Sequence, residues 1–106
     1  MVNNKILGLL GISAKAGKIT AGTDACIEEM QKNKIQVIII SAEASDKTKK
    51  NFKYYCEKYN VPIEIYGSIE DISRAIGKKN KAVIGVKDKN LAKEILKIIN
   101  GGDIIG

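Results

Sequence analysis

Apolar and polar positions along the chain follow two different periods. Residues 36–41 read Gln-Val-Ile-Ile-Ile-Ser, a β-branched run typical of a strand that is buried on both faces. Residues 82–86 form a second apolar run, and residues 63–66 alternate between apolar and polar types. By contrast, Ile6, Leu9, Leu10 and Ser13 recur at helical spacing and form one stripe. The pattern therefore predicts a chain that alternates between helices and short strands.

Capping and turn residues indicate where the elements begin and end. Ser45 can cap a helix whose first residue is Asp46, and that helix ends before Pro62, because the residue before proline avoids helical angles. Ser68 and Asp71 have the spacing of a capping box. We predict helices over residues 4–16, 23–32, 46–59, 68 to about 77 and 90–99, and extended segments over residues 18–21, 36–41, 63–66 and 82–86. Strands separated by helices of this length predict an α/β fold, with one sheet covered on both faces.

Composition excludes several kinds of chemistry. The 106 residues carry 18 Lys and Arg against 12 Asp and Glu, a net charge of +6, and no histidine. A Ser-His-Asp triad, a histidine zinc site and an imidazole base are therefore excluded, and Cys26 and Cys56 cannot form a four-thiolate site. We expect no enzymatic activity, no catalytic residue, no metal site and no cofactor.

The cysteines and the apolar segments bear on the compartment. Two cysteines without further partners are most simply small buried hydrophobic residues of a cytoplasmic protein. The N-terminal segment only weakly imitates a signal peptide, and no run approaches the roughly 18 apolar residues that a membrane span needs. We predict a cytoplasmic protein with no membrane partner.

Glycines near the N-terminus have structural interpretations. Residues 11–20 resemble a phosphate-binding P-loop, but five residues separate Gly11 from Gly17 and Ile19 follows the lysine, so the motif fails. Gly17 is expected to end the first helix, which Asn3 or Asn4 caps. Gly8 and Gly11, three residues apart, are expected to allow close packing against a neighbouring element.

Lysines dominate the basic residues, since Arg74 is the only arginine. They cluster near the end of the first helix, at the start of the third helix and in the segment 78–81. These clusters bracket two predicted helix starts, residues 22–24 and 41–45, and helix N-termini bind phosphates through unpaired N–H groups. A merely solvated charged surface is the alternative interpretation.

The aromatic residues, four of which lie on the third helix or at its end, are expected to pack in the core rather than to stack on bases.

Several segments, in their order along the chain, resemble one protein family. They are residues 5–11, 16–22, 39–45, 55–57 with 61–62, and 76–78 with 82–86, and together they extend over residues 5–96. With them the chain resembles the ribosomal protein L7Ae/L30e superfamily of kink-turn RNA binders, and within it the bacterial YlxQ-like branch. The resemblance implies a single domain over residues 1–106, folded as a three-layer α-β-α sandwich with one central mixed sheet of about four strands.

The resemblance also implies a site of three parts. The helix start after Gly22 faces sheared G·A pairs, the segment 41–47 flanks it, and the segment 77–82 contacts bulged nucleotides. The residues that we expect to contact RNA are Lys15, Lys18, Gly22, Thr23, Asp24, Glu28, Ser41, Ala42, Glu43, Lys47, Gly77, Lys78, Lys79 and Lys81. If they form one site, Lys18, Asp24, Glu28, Ser41 and Lys79 share one edge of the fold.

The chain departs from the family's RNA-binding signature. That signature has Asn-Glu after one spacer residue and a lysine three residues beyond the Glu, whereas this chain has Asp24, Ala25 and Glu28. Weaker binding, binding to another RNA element and loss of RNA binding are the alternatives. The partners expected are a kink-turn or ribosomal RNA and ribosomal or other translation proteins. A second hypothesis is a protein-interaction module on the same fold, with Glu28 and Glu29 in the partner surface.

Overall fold

The computed structural model describes residues 4–101. Over this range the chain forms five helices and four strands. The helices are α1 (Asn4–Lys15), α2 (Thr23–Gln31), α3 (Asp46–Tyr59), α4 (Ile69–Ala75) and α5 (Lys89–Ile99). The strands are β1 (Ile19–Ala21), β2 (Val37–Ile40), β3 (Ile63–Ile65) and β4 (Val83–Val86). Every predicted element is present, with bounds that differ by at most two residues.

The four strands form one mixed sheet in the order β1-β4-β2-β3. Strand β4 pairs antiparallel with both β1 and β2, while β2 and β3 are parallel. Helices α1, α4 and α5 cover one face of the sheet, and α2 and α3 cover the other. The predicted three-layer α-β-α sandwich with a four-stranded mixed sheet is therefore confirmed.

The buried strands explain why both faces are covered. Along β2, Val37 and Ile39 pack into the α1/α4/α5 layer, and Ile38 and Ile40 pack into the α2/α3 layer. All four side chains are fully buried, as the uninterrupted β-branched run predicted. Strand β3 lies at the sheet margin, and its Ile65 remains 45% exposed.

Helix ends follow the predicted capping residues in most cases. The hydroxyls of Ser45 and Ser68 accept hydrogen bonds from the backbone N–H groups of Thr48 and Asp71. Asp88 caps α5 in the same way, through a 2.8 Å bond from the N–H of Leu91. Among the predicted caps of α1, Asn3 lies outside the described residues, and Asn4 is already the first helical residue.

The three glycines of α1 and its end behave differently from one another. Gly17 has a φ of 71° and ends α1, as predicted. A Cβ atom at Gly11 would lie 3.2 Å from the carbonyl oxygen of Ala75 in α4, which confirms the close packing expected there. The same expectation is wrong for Gly8, which is exposed and whose Cβ position has no atom of another element within 4 Å. Among the described residues, no helix combines the length and apolar character that crossing a membrane requires.

Candidate nucleic-acid interface

The sheet topology brings four connecting segments to the same edge of the sheet. Because β1, β2 and β3 end where β4 begins, residues 21–24, 41–47, 66–69 and 77–82 are neighbours, and we call them the loop edge. Backbone bonds link them directly, from Ser41 N to Ala82 O (2.8 Å) and from Ala42 N to Gly67 O (2.9 Å), and Gly22 N donates to Val83 O at the start of β4 (2.9 Å). Helices α2, α3 and α4 all begin here, so their N-terminal dipole ends are gathered on one side of the molecule.

Helix α2 begins at the loop edge without a side-chain cap. Its N-cap is Gly22, which has a φ of 100° and makes no side-chain hydrogen bond, whereas α3, α4 and α5 are each capped by a serine or an aspartate. The first bond of the helix runs from Cys26 N to Gly22 O. The N–H groups of residues 23–25 therefore have no partner within the helix and remain open to an acceptor from outside. This helix start is a ready anion- or base-binding position.

The lysine-rich segment 77–82 is fixed beside that helix start by a buried serine. Ser73 of α4 is 2% exposed, and its hydroxyl both accepts from Lys81 N (2.8 Å) and donates to Lys81 O (3.1 Å). Gly77 and Asn80 adopt left-handed backbone angles, with φ values of 71° and 56°, which allow the chain to turn back toward β4. As a result the Nζ atom of Lys81 lies 3.8 Å from the position that a Cβ atom of Gly22 would occupy.

Segment 41–47 is also braced by internal hydrogen bonds. Ser41 is fully buried, and its hydroxyl donates to Gly67 O and accepts from Glu43 N, both at 2.9 Å. The Oε1 atom of Glu43 accepts from Ile69 N at the start of α4. The Ser41 hydroxyl is therefore buried and already hydrogen-bonded, so a contact of Ser41 with RNA, which stays a prediction, would not involve its side chain. Glu43 is exposed, but its carboxylate is hydrogen-bonded to the backbone at the start of α4.

A groove of about 720 Å³ lies between α4 and the lysine-rich segment. Its walls combine the basic and acidic side chains of two loops with one turn of α4. They are formed by Glu43, Ile69, Glu70, Ser73, Arg74, Gly77, Lys78, Lys79 and Asn80. Arg74 and Glu70 form an ion pair on its rim. The groove is bordered by two exposed lysines, Lys78 and Lys79.

The predicted common edge is only partly present. Asp24, Ser41 and Lys79 belong to the loop edge, but Lys18 precedes β1, and its carbonyl accepts from Lys87 N (2.8 Å) just after β4. Lys18 therefore lies at the opposite edge of the sheet, about 10 Å away along β1 at the usual rise per residue, and its prediction as part of the shared edge is wrong. Lys18 is close to Asp24 in the sequence, but it precedes β1, and the loop edge lies at the other end of that strand.

Lys15 and Glu28 are the other two predicted RNA contacts that lie outside the loop edge. Lys15 lines a second groove with Arg74 and Gly77, so it borders the beginning of the lysine-rich segment. Glu28 lies about 8 Å along α2 from Thr23 at the helical rise, and its Oε1 is 3.4 Å from Lys32 Nζ. Glu28 is thus directed toward the far end of α2 rather than toward the helix start. Its neighbour Glu29 pairs with Lys87 Nζ at 3.6 Å, so neither carboxylate of the pair is left without a cation.

Nothing in the described part of the chain suggests nucleophilic or metal chemistry. Burial raises the pKa of the Cys26 thiol to about 12 and that of Cys56 to about 11, so both stay protonated near neutral pH. The two thiols are buried, as predicted. Over residues 4–101, His, Cys, Asp and Glu side chains form no group of three that could hold a metal ion.

Two residues that brace this surface, Ser73 and Lys49, were not predicted, and Tyr54, which lies outside the loop edge, was predicted in the core. Ser73 fixes the lysine-rich segment, and Lys49 Nζ donates to Ala42 O (2.8 Å) and so braces segment 41–47. Tyr54, expected in the core, is 60% exposed on the outer side of α3. The signal for Tyr54 was available, since a helical projection of α3 places it opposite Phe52 and Cys56. The roles of Ser73 and Lys49 depend on tertiary contacts that no local pattern indicates.

Comparison with protein families gives one match over most of the chain. A sequence profile of the "Ribosomal protein L7Ae/L30e/S12e/Gadd45 family" matches residues 4–96. Two similar proteins are both named RNA-binding protein YlxQ. The one from Enterococcus faecium is 32% identical over 97 residues, 92% of this chain and 93% of the relative. The one from Bacillus subtilis (strain 168) is 28% identical over 92 residues, 87% of this chain and 92% of the relative.

Solved structures agree with the fold. A protein of unknown function from Bacillus halodurans superposes with a TM-score of 0.89 and 32% identity, covering 92% of this chain and 99% of the other. A 15.5 kD RNA-binding protein from Giardia lamblia superposes with a TM-score of 0.78 over 95% of this chain and 92% of the other. At 21% identity, the second match concerns the fold alone.

Proposed function

The chain belongs to the ribosomal protein L7Ae/L30e/S12e/Gadd45 family, in its bacterial YlxQ-like branch, and we propose that it is a non-enzymatic protein that binds a kink-turn-like RNA in a translation context. The observation that carries the proposal is the uncapped start of α2 with the Lys81 ammonium beside it. The relatives named as RNA-binding proteins support it. A free helix start and a nearby cation together bind a phosphate or a polar base edge.

The helix start supplies the contacts that distinguish bases. Thr23 offers a hydroxyl and Asp24 a carboxylate, and both side chains are exposed in the first turn. A carboxylate only accepts hydrogen bonds, so Asp24 pairs with amino or imino donors such as those of guanine in a sheared pair. Gly22 has no side chain, so the RNA can approach the open N–H groups closely.

The lysines supply attraction to the RNA backbone. Lys78 and Lys79 are exposed in the braced segment, Lys81 lies beside Gly22, and Lys47 lies in the first turn of α3. Lysine acts on phosphates as a point charge, so these contacts set affinity and salt dependence rather than sequence preference. The groove beside Lys78 and Lys79 has room for one bulged nucleotide. Lys15 extends the basic surface along this side.

Two departures from the family signature weaken the proposed binding of RNA. Ala25 offers no polar group where the signature has Glu, and Glu28 places a carboxylate where it has Lys. Lys32 offsets part of the charge of Glu28, so the main loss at this position is the absence of a lysine that could bind a phosphate. We infer moderate affinity, with the lysine-rich segment contributing a larger share than in relatives that keep the full signature.

Titration of a kink-turn RNA at several salt concentrations tests the proposal. The wild-type protein should bind the kink-turn more tightly than a duplex of equal length and charge, and K79A should reduce the slope of log K against log salt by about 1. K18A, which changes a lysine at the opposite edge, should leave affinity and slope unchanged. Equal affinity for the kink-turn and the duplex, together with no effect of K79A, would contradict the proposal.

A further inference from the structure

Helix α3 carries a basic stripe on the side that faces away from the sheet. Phe52 and Cys56 face inward and are buried. Lys47, Lys50, Tyr54 and Lys58 follow one another at intervals of three or four residues, so they lie in a line on the outer side. The line is about 16 Å long at the helical rise, and its first member belongs to the loop edge. We call these four residues the α3 stripe.

The lysines of the stripe are not neutralised within the protein. Lys47, Lys50 and Lys58 make no ion pair with any carboxylate among the described residues. The Nζ atom of Lys58 lies 5.5 Å from the ring centroid of Tyr59, a contact that leaves its charge uncompensated. Three ammonium groups along one helix are therefore available to bind an anionic partner.

The ring of Tyr54 lies in the middle of these cations. It is 60% exposed, between Lys50 one turn before it and Lys58 one turn after it. Its edge-to-face contact with Tyr55, with centroids 5.3 Å apart and planes at 73°, holds the ring in place. An aromatic ring flanked by lysines at helical spacing combines a stacking surface for a base with charges for the adjoining phosphates.

We propose that the α3 stripe binds a single-stranded RNA segment that leaves the structured element at the loop edge. This inference rests on the proposed function, since Lys47 connects the two surfaces. Tyr54 stacks on an unpaired base, and Lys50 and Lys58 bind phosphates on either side. A protein partner fits this surface less well, because lysine is depleted in the cores of protein interfaces and Tyr54 is the one large exposed apolar group described on α3.

The binding of two RNAs separates this site from the loop edge. One RNA is a kink-turn alone, and the other is the same kink-turn with an eight-nucleotide single-stranded extension, tested at either end. The wild-type protein should bind the extended RNA at least about fivefold more tightly, the smallest gain expected for one stacked base. Y54A should abolish this gain and keep the affinity for the kink-turn alone, whereas Y54F should retain the gain.

Lysine variants test the electrostatic part. K50A/K58A should lower the salt slope by about 1.4 on the extended RNA, from about 0.7 for each phosphate on a single strand. The slope on the kink-turn alone should not change. K93A/K97A, which removes two exposed lysines from α5 on the other face of the sheet, is the matched control and should leave both slopes unchanged.

The outcomes distinguish the two proposals. If the wild type prefers the kink-turn over a duplex but gains nothing from the extension, the α3 stripe does not bind RNA, and the proposed function stands. The stripe is likewise excluded as an RNA site if Y54A keeps the full gain, as it would if the stripe bound a protein. If the wild type shows no preference for the kink-turn, the proposed function fails. In that case a Tyr54-dependent gain from the extension alone would still support the stripe.

Discussion

Replacement of Ser73 by alanine should loosen the lysine-rich segment without disturbing the rest of the fold. The hydroxyl of Ser73 makes two hydrogen bonds to the backbone of Lys81, and it is 2% exposed. Each such bond contributes about 0.5–1.5 kcal/mol net. Since Lys81 is only half-buried and water replaces part of the loss, we expect S73A to lower the free energy of unfolding by about 1–2 kcal/mol. At this chain length, 1 kcal/mol corresponds to a Tm shift of about 4–8 °C.

The effect on RNA binding should exceed what stability alone explains. In S73A the segment 77–82 must be ordered when RNA binds, and ordering one residue costs about 1–2 kcal/mol. The Kd for a kink-turn RNA should therefore rise about fivefold or more. Urea unfolding gives the stability change, and titration at fixed salt gives the affinity change.

Ile95→Val is the matched control for stability. Ile95 is fully buried in α5, on the sheet face away from α2 and α3, and this substitution costs about 0.5–1.5 kcal/mol. It should lower Tm by a comparable amount and leave the RNA Kd unchanged. If I95V weakens RNA binding as much as S73A, or if S73A leaves the affinity at the wild-type value, the positioning role assigned to Ser73 is refuted.

Three further predictions concern charge, pH and helix packing. E28K should tighten binding to a kink-turn RNA and steepen the salt slope by about 1, measured by titration; an unchanged slope would show that this side of α2 does not face phosphates. Because the pKa of Cys26 is raised from 9.0 to about 12 in the folded protein, its contribution to stability is complete below pH 9 and is lost as the pH rises from 9 toward 12. Urea unfolding should show this decline in the free energy of unfolding, and C26A should show a shallower decline. Equal declines in the two proteins would contradict the raised pKa of Cys26. G8A should raise the free energy of unfolding by about 1 kcal/mol through helix propensity, whereas G11A should not, because its Cβ would lie 3.2 Å from Ala75 O; equal urea midpoints for the two variants would contradict the packing.

The sequence alone predicts the elements and the layers well, because local chemistry determines them. The β-branched run of β2 has no polar position to expose, so it must be central, and Ser45 and Ser68 cap the helices that they precede. The family resemblance, confirmed by the match over residues 4–96, placed the α2 start and the segment 77–82 at the same site.

The composition of the site was harder to predict, because it depends on which end of each strand reaches the loop edge. Lys18 and Asp24 lie only six residues apart, yet β1 runs between them and separates them to opposite edges of the sheet. Ser41 has the residue type of a phosphate contact, but it is fully buried and bound to Gly67. Its burial follows from the pairing of β2 with β3, which hydrophobic periodicity does not specify.

The position of β4 in the sheet has a consequence for biosynthesis. It lies between β1 and β2 and pairs with both, although it is the last strand in the described part of the chain. Until Val83–Val86 has been synthesised, β1 has no neighbour, and the bonds that hold Gly22 to Val83 and Ser41 to Ala82 cannot form. Sheets that depend on such distant pairings assemble late and cooperatively. A nascent chain that stops before β4 therefore contains every residue of the α2 start and of the segment 77–82, but it lacks the strand whose pairing brings them together.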